Sequence, residues 1–234
     1  MAGKILPICF LLTVCGWLAA ESVKVVLFPF REAEISSRVD SVLLSCNFRV
    51  GEKFKNQAVL IELDSRSAAL QVQRTAGQMQ FAQFAYQDKK ELKSNNLTSD
   101  FELKKAEFEC QTAQTAHEEA KLRLSYCRIF APFPGKIVEI LKQEHEMVKA
   151  GEPLLKIIDD SKLFAVLNLP LNQVQPVGTV VAMKLENNSI VSGKIYEISP
   201  QANHRTGTLR VRVLIDNALG VLRAGMIGEV VNAQ

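Results

Sequence analysis

From Ser65 to Cys127 the chain has no proline and a single glycine, Gly77, and its small and apolar residues return every three or four positions. One set runs Ala69, Val72, Ala76, Met79, then polar Gln83, then Tyr86. A second runs Ala106, Cys110, Ala113, His117, Ala120, Leu124 and Cys127. Alternating steps of three and four put each set on one face of a helix. The many alanines let two such faces approach closely. Between the runs, Ser94-Asn95-Asn96-Leu97-Thr98-Ser99 is polar and unperiodic, as a helix-helix turn should be. Ser99 followed by Glu102 has the form of a capping box and predicts the start of the second helix. Each helix then has about 28 residues and the antiparallel pair about 42 Å of length. Two narrow seams cannot fold a large core, so the pair reads as a rod carried by another body.

The segments on either side of the rod resemble each other after a shift of 94 residues. Arg38-Val39-Asp40-Ser41-Val42-Leu43 then meets Pro132-Phe133-Pro134-Gly135-Lys136-Ile137. Phe54-Lys55-Asn56-Gln57 meets Val148-Lys149-Ala150-Gly151, and Leu60-Ile61-Glu62-Leu63 meets Leu154-Leu155-Lys156-Ile157. Both flanks break short apolar stretches with turn residues, as strands do. Internal similarity of this kind predicts one β-sandwich closed by both halves, with the rod inserted between them.

Beyond Lys162 the pattern is strand-like again. The candidates are 164–169, 179–183, 190–198, 209–215 and 227–231, separated by Glu186-Asn187-Asn188-Ser189, Pro200 with Asn203, Asp216-Asn217 and Leu219-Gly220. Leu209-Arg210-Val211-Arg212-Val213 alternates apolar and charged. Short strands at such spacing predict a small antiparallel barrel, to which Val23 to Phe30 could add a strand.

The first residues have a different character. Lys4 precedes an apolar run from Ile5 to Val14, and Leu18-Ala19-Ala20 supplies small residues before Glu21. This is the order of a secretory signal, with cleavage after Ala20. Ile5 to Ala20 gives 16 residues, interrupted by Pro7 and Gly16, against about 20 for a spanning helix. A retained anchor and a lipid anchor at Cys15 remain as alternatives.

Composition narrows the chemistry. Of 234 residues, 28 are Lys or Arg and 25 Asp or Glu, for a net charge of +3. The charges are interleaved, so no nucleic-acid footprint is present. His117, His145 and His204 lie far apart, and no C-x-x-C, H-E-x-x-H or phosphate-loop motif occurs. Asp159-Asp160 and Glu144 with Glu146 read as solvated turn charges. No catalytic residue, cofactor or metal site is expected. Cys46, Cys110 and Cys127 remain after the signal, an odd number. Cys110 and Cys127 lie about 25 Å apart along one helix, out of disulfide reach.

Four motifs now fall in order. Ala131-Pro132-Phe133-Pro134-Gly135-Lys136-Ile137 looks like A-P-x-x-G-x-[IV], and Val148-Lys149-Ala150-Gly151-Glu152-Pro153-Leu154 like V-x-x-G-x-x-L. Asp216-Asn217 and Leu222-Arg223-Ala224-Gly225-Met226 look like D-N…L-R-P-G-M, with Ala224 in the proline position. Around a helical hairpin, these resemble the periplasmic adaptor (membrane fusion protein, HlyD-like) family of tripartite efflux and secretion systems, including its RND-type efflux adaptors. The first half is the weaker repeat, with Ser41 where glycine is common.

The resemblance implies an α+β, mainly β chain: a lipoyl-like β-sandwich (34–64 plus 128–160) split by a long antiparallel α-helical hairpin (65–127), followed by a small antiparallel β-barrel (21–33 plus 161–234), after a signal peptide at 1–20. It implies a non-enzymatic subunit in the periplasm, peripheral to the inner membrane, that links an inner-membrane transporter of RND or ABC type to an outer-membrane channel and assembles as a homo-oligomeric ring. Many adaptors of resistance-nodulation-division pumps carry a further membrane-proximal domain, and no residues remain here to build one, which leaves the transporter class open. The family's tip pattern, Arg-x₃-Leu-x₆-Ser, falls on Asp88, Leu92 and Ser99, with Lys89 and Lys90 beside the first position. Leu92, Ser99, Lys89 and Lys90 are therefore the candidate channel-binding residues. The plainer alternative is that Leu92 closes the hairpin and Ser99 caps a helix. Two other readings stand beside the adaptor. One is a lipoyl or biotinyl carrier, whose modifiable lysine would need the tight turn that the rod replaces. The other is a coiled-coil scaffold without a channel partner.

Overall fold

The computed structural model describes residues 23–231; the expected signal peptide at 1–20 lies outside them. The elements are β1 (Lys24–Ser36), β2 (Ser41–Cys46), β3 (Lys53–Phe54), β4 (Val59–Leu63), α1 (Arg66–Ser94), α2 (Asp100–Ser125), β5 (Arg128–Phe130), β6 (Gly135–Ile140), β7 (Met147–Val148), β8 (Pro153–Pro170), β9 (Val180–Leu185), β10 (Ile190–Ile198), β11 (Thr208–Asp216) and β12 (Ile227–Val230). The fold is mixed α and β, mostly β, with one helical hairpin. By compactness the described residues divide into a larger unit, 27–165 with 214–226, and a smaller one, 23–26 with 166–213 and 227–231. β1, β8 and β11 each run through both.

In the larger unit every sheet mixes the two flanks of the hairpin. One sheet has the order β5-β4-β2-β7, and β6 pairs with both β3 and β8. Leu43, Leu60, Ile61 and Leu63 from the first flank share one buried cluster with Ile137, Leu154, Leu155 and Ile157 from the second.

The 94-residue shift reappears as reciprocal hydrogen bonds. Leu43 N–H donates to the Glu146 carbonyl (2.9 Å), and Ile137 N–H to that of Glu52 (3.3 Å). Gly51 N–H donates to Ile137 (2.8 Å), and His145 N–H to Leu43 (2.7 Å). Gln57 N–H donates to Ala131 (3.0 Å), and Gly151 N–H to Ser37 (2.8 Å). Even the bulge recurs, between Leu43 and Ser45 in β2 and between Ile137 and Glu139 in β6. Each half therefore completes the other's ladder, and neither can satisfy its backbone alone.

The turns repeat with the same left-handed backbone but different residues. Gly151 has φ +85°, whereas its mate Gln57 has φ +62°. A side chain there costs energy that glycine avoids. Gln57→Gly is expected to raise the stability of this unit by about 0.5–1 kcal/mol, and Gly151→Gln to lower it by at least as much, read as shifts of the urea midpoint.

Asn217 explains the D-N…L-R-x-G-M signature. The residue is buried. Its side-chain amide donates to the carbonyls of Asp160 (2.8 Å) and Leu222 (2.9 Å), and its oxygen accepts from Leu222 N–H (3.0 Å). One side chain thus ties the 217–222 turn to β8.

In the smaller unit β12 joins β1 to β9, and β9 pairs with β10. The pairing order is β1-β12-β9-β10-β11-β8, and β8 also pairs with β1. Leu167, Met183, Ile195, Val211 and Val213 are buried, and Arg212 turns outward to pair with Glu197 (3.0 Å).

Candidate docking site at the hairpin tip

The two helices leave the sheets at one place. Leu63 N–H donates to the Cys127 carbonyl (2.8 Å), closing the base of the hairpin. The carboxylate of Asp64 accepts from Arg66 N–H (3.0 Å) and from its guanidinium, starting α1. The Arg66 guanidinium, ahead of the Arg66 backbone N–H, holds that carboxyl down at about 2. Burial, followed by the charge of Asp64, pushes the Cys127 thiol up. Cys46, Cys110 and Cys127 are free thiols.

The seam of α2 uses Ala106, Cys110, Ala113, His117, Ala120 and Leu124, all buried or half-buried, as the spacing predicts. In α1 the predicted Val72, Ala76, Met79, Gln83 and Tyr86 are half-buried and Ala69 is exposed; Thr75, which the spacing left out, is buried, with Ala68, Ala82, Lys89 and Lys93 half-buried beside the seam. Thr75 is buried because its hydroxyl lies within bonding distance of the Gln71 and Val72 carbonyls (2.9 and 3.0 Å) and of His117 Nδ1 across the seam (3.2 Å). A polar pair inside an apolar seam fixes the register of two helices.

At the far end α1 stops at Ser94, whose hydroxyl donates to the Glu91 carbonyl (2.7 Å). Asn96 takes φ +57°, and Leu97 N–H returns to Leu92 (2.8 Å). Ser99 Oγ then accepts from Glu102 N–H (3.2 Å), so α2 begins as its sequence predicts. Lys93 and Asp100 pair across the turn (2.9 Å).

These bonds set the roles of the four candidate residues. Ser99 is occupied as a helix cap. Lys89 and Leu92 are half-buried toward the seam, and Lys90 is exposed. The apolar surface at the apex comes from residues outside that set, Leu97 and Phe101, which are 71% and 74% exposed. A leucine inside a polar turn was the available signal for Leu97. Phe101 follows the cap and lies off the α2 seam, so periodicity assigned it no partner. An exposed leucine and phenylalanine on a turn held by an ion pair and a cap can bury themselves only against another surface.

Residues 169–234 match the family model described as the CusB-like β-barrel domain. The chain is 26% identical over 216 residues to the multidrug resistance protein MdtA of Photorhabdus laumondii subsp. laumondii, covering 81% of this chain and 54% of that protein. The C-terminal residues are thus similar to that β-barrel domain, and most of the chain is similar to MdtA. The chain spans about half the length of the curated relatives it matches. Its fold is that of a MacA–MexA chimera carrying the Pseudomonas aeruginosa MexA α-hairpin domain (TM-score 0.79, 19% identity, 89% of this chain and 78% of that one). It is also that of the membrane fusion protein Spr0693 from Streptococcus pneumoniae R6 (TM-score 0.71, 18% identity, 91% and 99%). Among the described residues no helix is long and apolar enough to cross a membrane.

Proposed function

We propose that this chain is the periplasmic adaptor of a tripartite efflux or secretion system, and that its hairpin tip docks on an outer-membrane channel while the β units serve an inner-membrane transporter. The observation that carries this reading is the apolar apex, Leu97 and Phe101, presented at the end of two packed helices of 29 and 26 residues. Binding, not chemistry, is the work such a surface performs. Leu97 and Phe101 supply buried area on docking, and Lys90 supplies charge for steering. Residues 1–20 direct export, and the mature chain sits in the periplasm at the inner membrane. The reciprocal ladders support a lipoyl-like sandwich formed by 34–64 and 128–160. The strand order that returns to β1 supports a small closed barrel from 21–33 and 161–234. The assembled form is a ring of copies.

Leu97→Asp combined with Phe101→Asp should reduce channel capture and cellular efflux at least tenfold, a loss of about 1.4 kcal/mol or more in binding. Circular dichroism should stay unchanged, since both side chains are exposed. Full efflux by the double variant, with normal expression, would defeat the docking role and favour a scaffold without a channel partner.

A further inference from the structure

A hollow of about 330 Å³ lies within the smaller unit, and no carboxylate lines it among the described residues. Asn168 of β8 and Arg210 of β11, on neighbouring strands, line one part of it. The loop that leaves β10 lines the rest, with Gln201, Asn203 and His204. The surrounding sequence is equally short of acids. Neither 161–185 nor 198–215 contains an Asp or a Glu.

The second of those stretches carries Arg205, Arg210 and Arg212. Arg212 is engaged by Glu197 (3.0 Å). Arg210 stands two residues earlier on the same face of β11 and is exposed. Its guanidinium has no ion-pair or hydrogen-bond partner among the described residues.

The hydrogen bonds within the loop leave donors rather than acceptors open. The Ser199 hydroxyl donates to the Gln201 carbonyl (3.0 Å) and accepts from Gln201 N–H (3.4 Å). The Thr208 hydroxyl is engaged with that of Thr206 (2.7 Å). Asn203 Oδ1 accepts from Arg205 N–H (3.0 Å), so the free end of that amide is its NH₂ group. Backbone bonds hold the frame. Asn203 N–H donates to the Thr208 carbonyl (2.9 Å), Gly207 N–H to that of Asn203 (2.8 Å) and Ser199 N–H to that of Arg210 (2.8 Å). The oxygens of Ser199, Thr208 and Asn203 are thus occupied, while the donors of Arg210 and Asn203 are not. Positive charge beside unfilled donors favours an anion rich in acceptors.

We propose that this hollow binds a phosphoryl group carried on a polar molecule, with the Arg210 fork gripping two of its oxygens and the Asn203 amide donating to a third. A guanidinium keeps its charge and offers two parallel N–H bonds, which suits a phosphoryl group. The second donor comes from the loop rather than from the strand. Oxygens arranged as a tetrahedron can use both directions, whereas a flat carboxylate is satisfied by the fork alone. At roughly 30 Å³ per water-sized group, 330 Å³ exceeds what one phosphate fills. The amides of Asn168 and Gln201, each able to donate and to accept, then meet hydroxyls of the carrier. A soluble phosphate ester and a lipid headgroup present this same chemistry. The site goes beyond the docking role of the hairpin and does not depend on it.

The test titrates the full chain by calorimetry with inositol monophosphate, glucuronate and inositol. It also floats the chain with phosphatidylcholine vesicles, plain or doped with phosphatidic acid. Inositol monophosphate should bind at least tenfold more tightly than glucuronate, and inositol should not bind. Arg210→Gln should weaken phosphate binding at least tenfold. Arg205→Gln removes the same charge from the same loop outside the hollow and should change it less than twofold. Arg210→Lys, which keeps the charge and loses the fork, should fall between them. Circular dichroism of Arg210→Gln should match the parent, since the side chain is exposed, which separates lost binding from lost fold. Vesicle association that needs phosphatidic acid and Arg210 would assign the phosphoryl group to a lipid headgroup. Binding of inositol monophosphate without vesicle association would assign it to a soluble ester. Equal losses in Arg205→Gln and Arg210→Gln would reduce the effect to diffuse positive charge and overturn the proposal. Glucuronate bound as tightly as the phosphate would overturn it too, and so would no binding of either phosphate probe.

Discussion

Gly135→Ser is expected to cost the larger unit about 3 kcal/mol or more, enough to leave much of it unfolded at moderate urea. A Cβ on Gly135 would lie 2.2 Å from the Ile158 carbonyl oxygen and 3.0 Å from its carbon, backbone atoms that cannot turn aside. β6 would have to part from β8 at the Lys136–Ile158 rung. The position related by the 94-residue shift already holds a serine. There Ser41 Oγ donates to the Asp64 carbonyl (2.8 Å), the counterpart of the Ile158 carbonyl. Ser41→Gly should therefore cost only about 1 kcal/mol, one hydrogen bond. Comparing both variants by denaturant midpoint and m-value checks the close approach. A Gly135→Ser protein within 1 kcal/mol of the parent would mean the strands are farther apart.

Leu60→Ala and Leu154→Ala come next, each with an expected loss of about 3 kcal/mol from the removed methyl groups and the cavity left behind. Both side chains are fully buried in the same cluster. Their carbonyls play the same part, accepting from Asn47 (3.0 Å) and Leu141 (2.8 Å). The two costs should be similar. Either variant should lower hydrogen-exchange protection in residues 41–63 and 135–157 together, because each flank holds the other's ladder. Loss confined to one flank would show that the halves are independent.

The two helices differed in how clearly the sequence declared them. In α2 the seam residues Ala106, Cys110, Ala113 and Ala120 have polar neighbours on both sides, so one phase stands out. In α1 alanines stand at 68, 69, 76, 82 and 85, and several phases fit equally well. The choice there falls to Thr75, a polar residue that hydropathy sends outward and that local hydrogen bonding lets inside. The strands after Lys162 were legible because turn residues bracket them. The path of β8 as one strand of 18 residues was not, because Asp159-Asp160-Ser161-Lys162 reads as a turn. Asp159 instead accepts from Ser161 N–H (3.1 Å) and Oγ (2.6 Å), and Asp160 pairs with Lys136 (2.5 Å), so the strand carries its charges through. At the tip, a motif comparison pointed to Leu92 and Ser99. What the apex exposes depends on the turn geometry around Asn96, which no pattern of residue types encodes.

The departure and return of the chain at adjacent rungs, Leu63 and Cys127, makes the hairpin a ruler. Its two ends are already side by side, so adding or removing length asks nothing of the sheets, and closing a longer excursion costs only slowly more entropy. Seven residues added to each helix preserve the seam and move the apex outward by about 10 Å. Reach toward a distant receptor can thus change in whole steps, between relatives or by design, while the foundation stays the same.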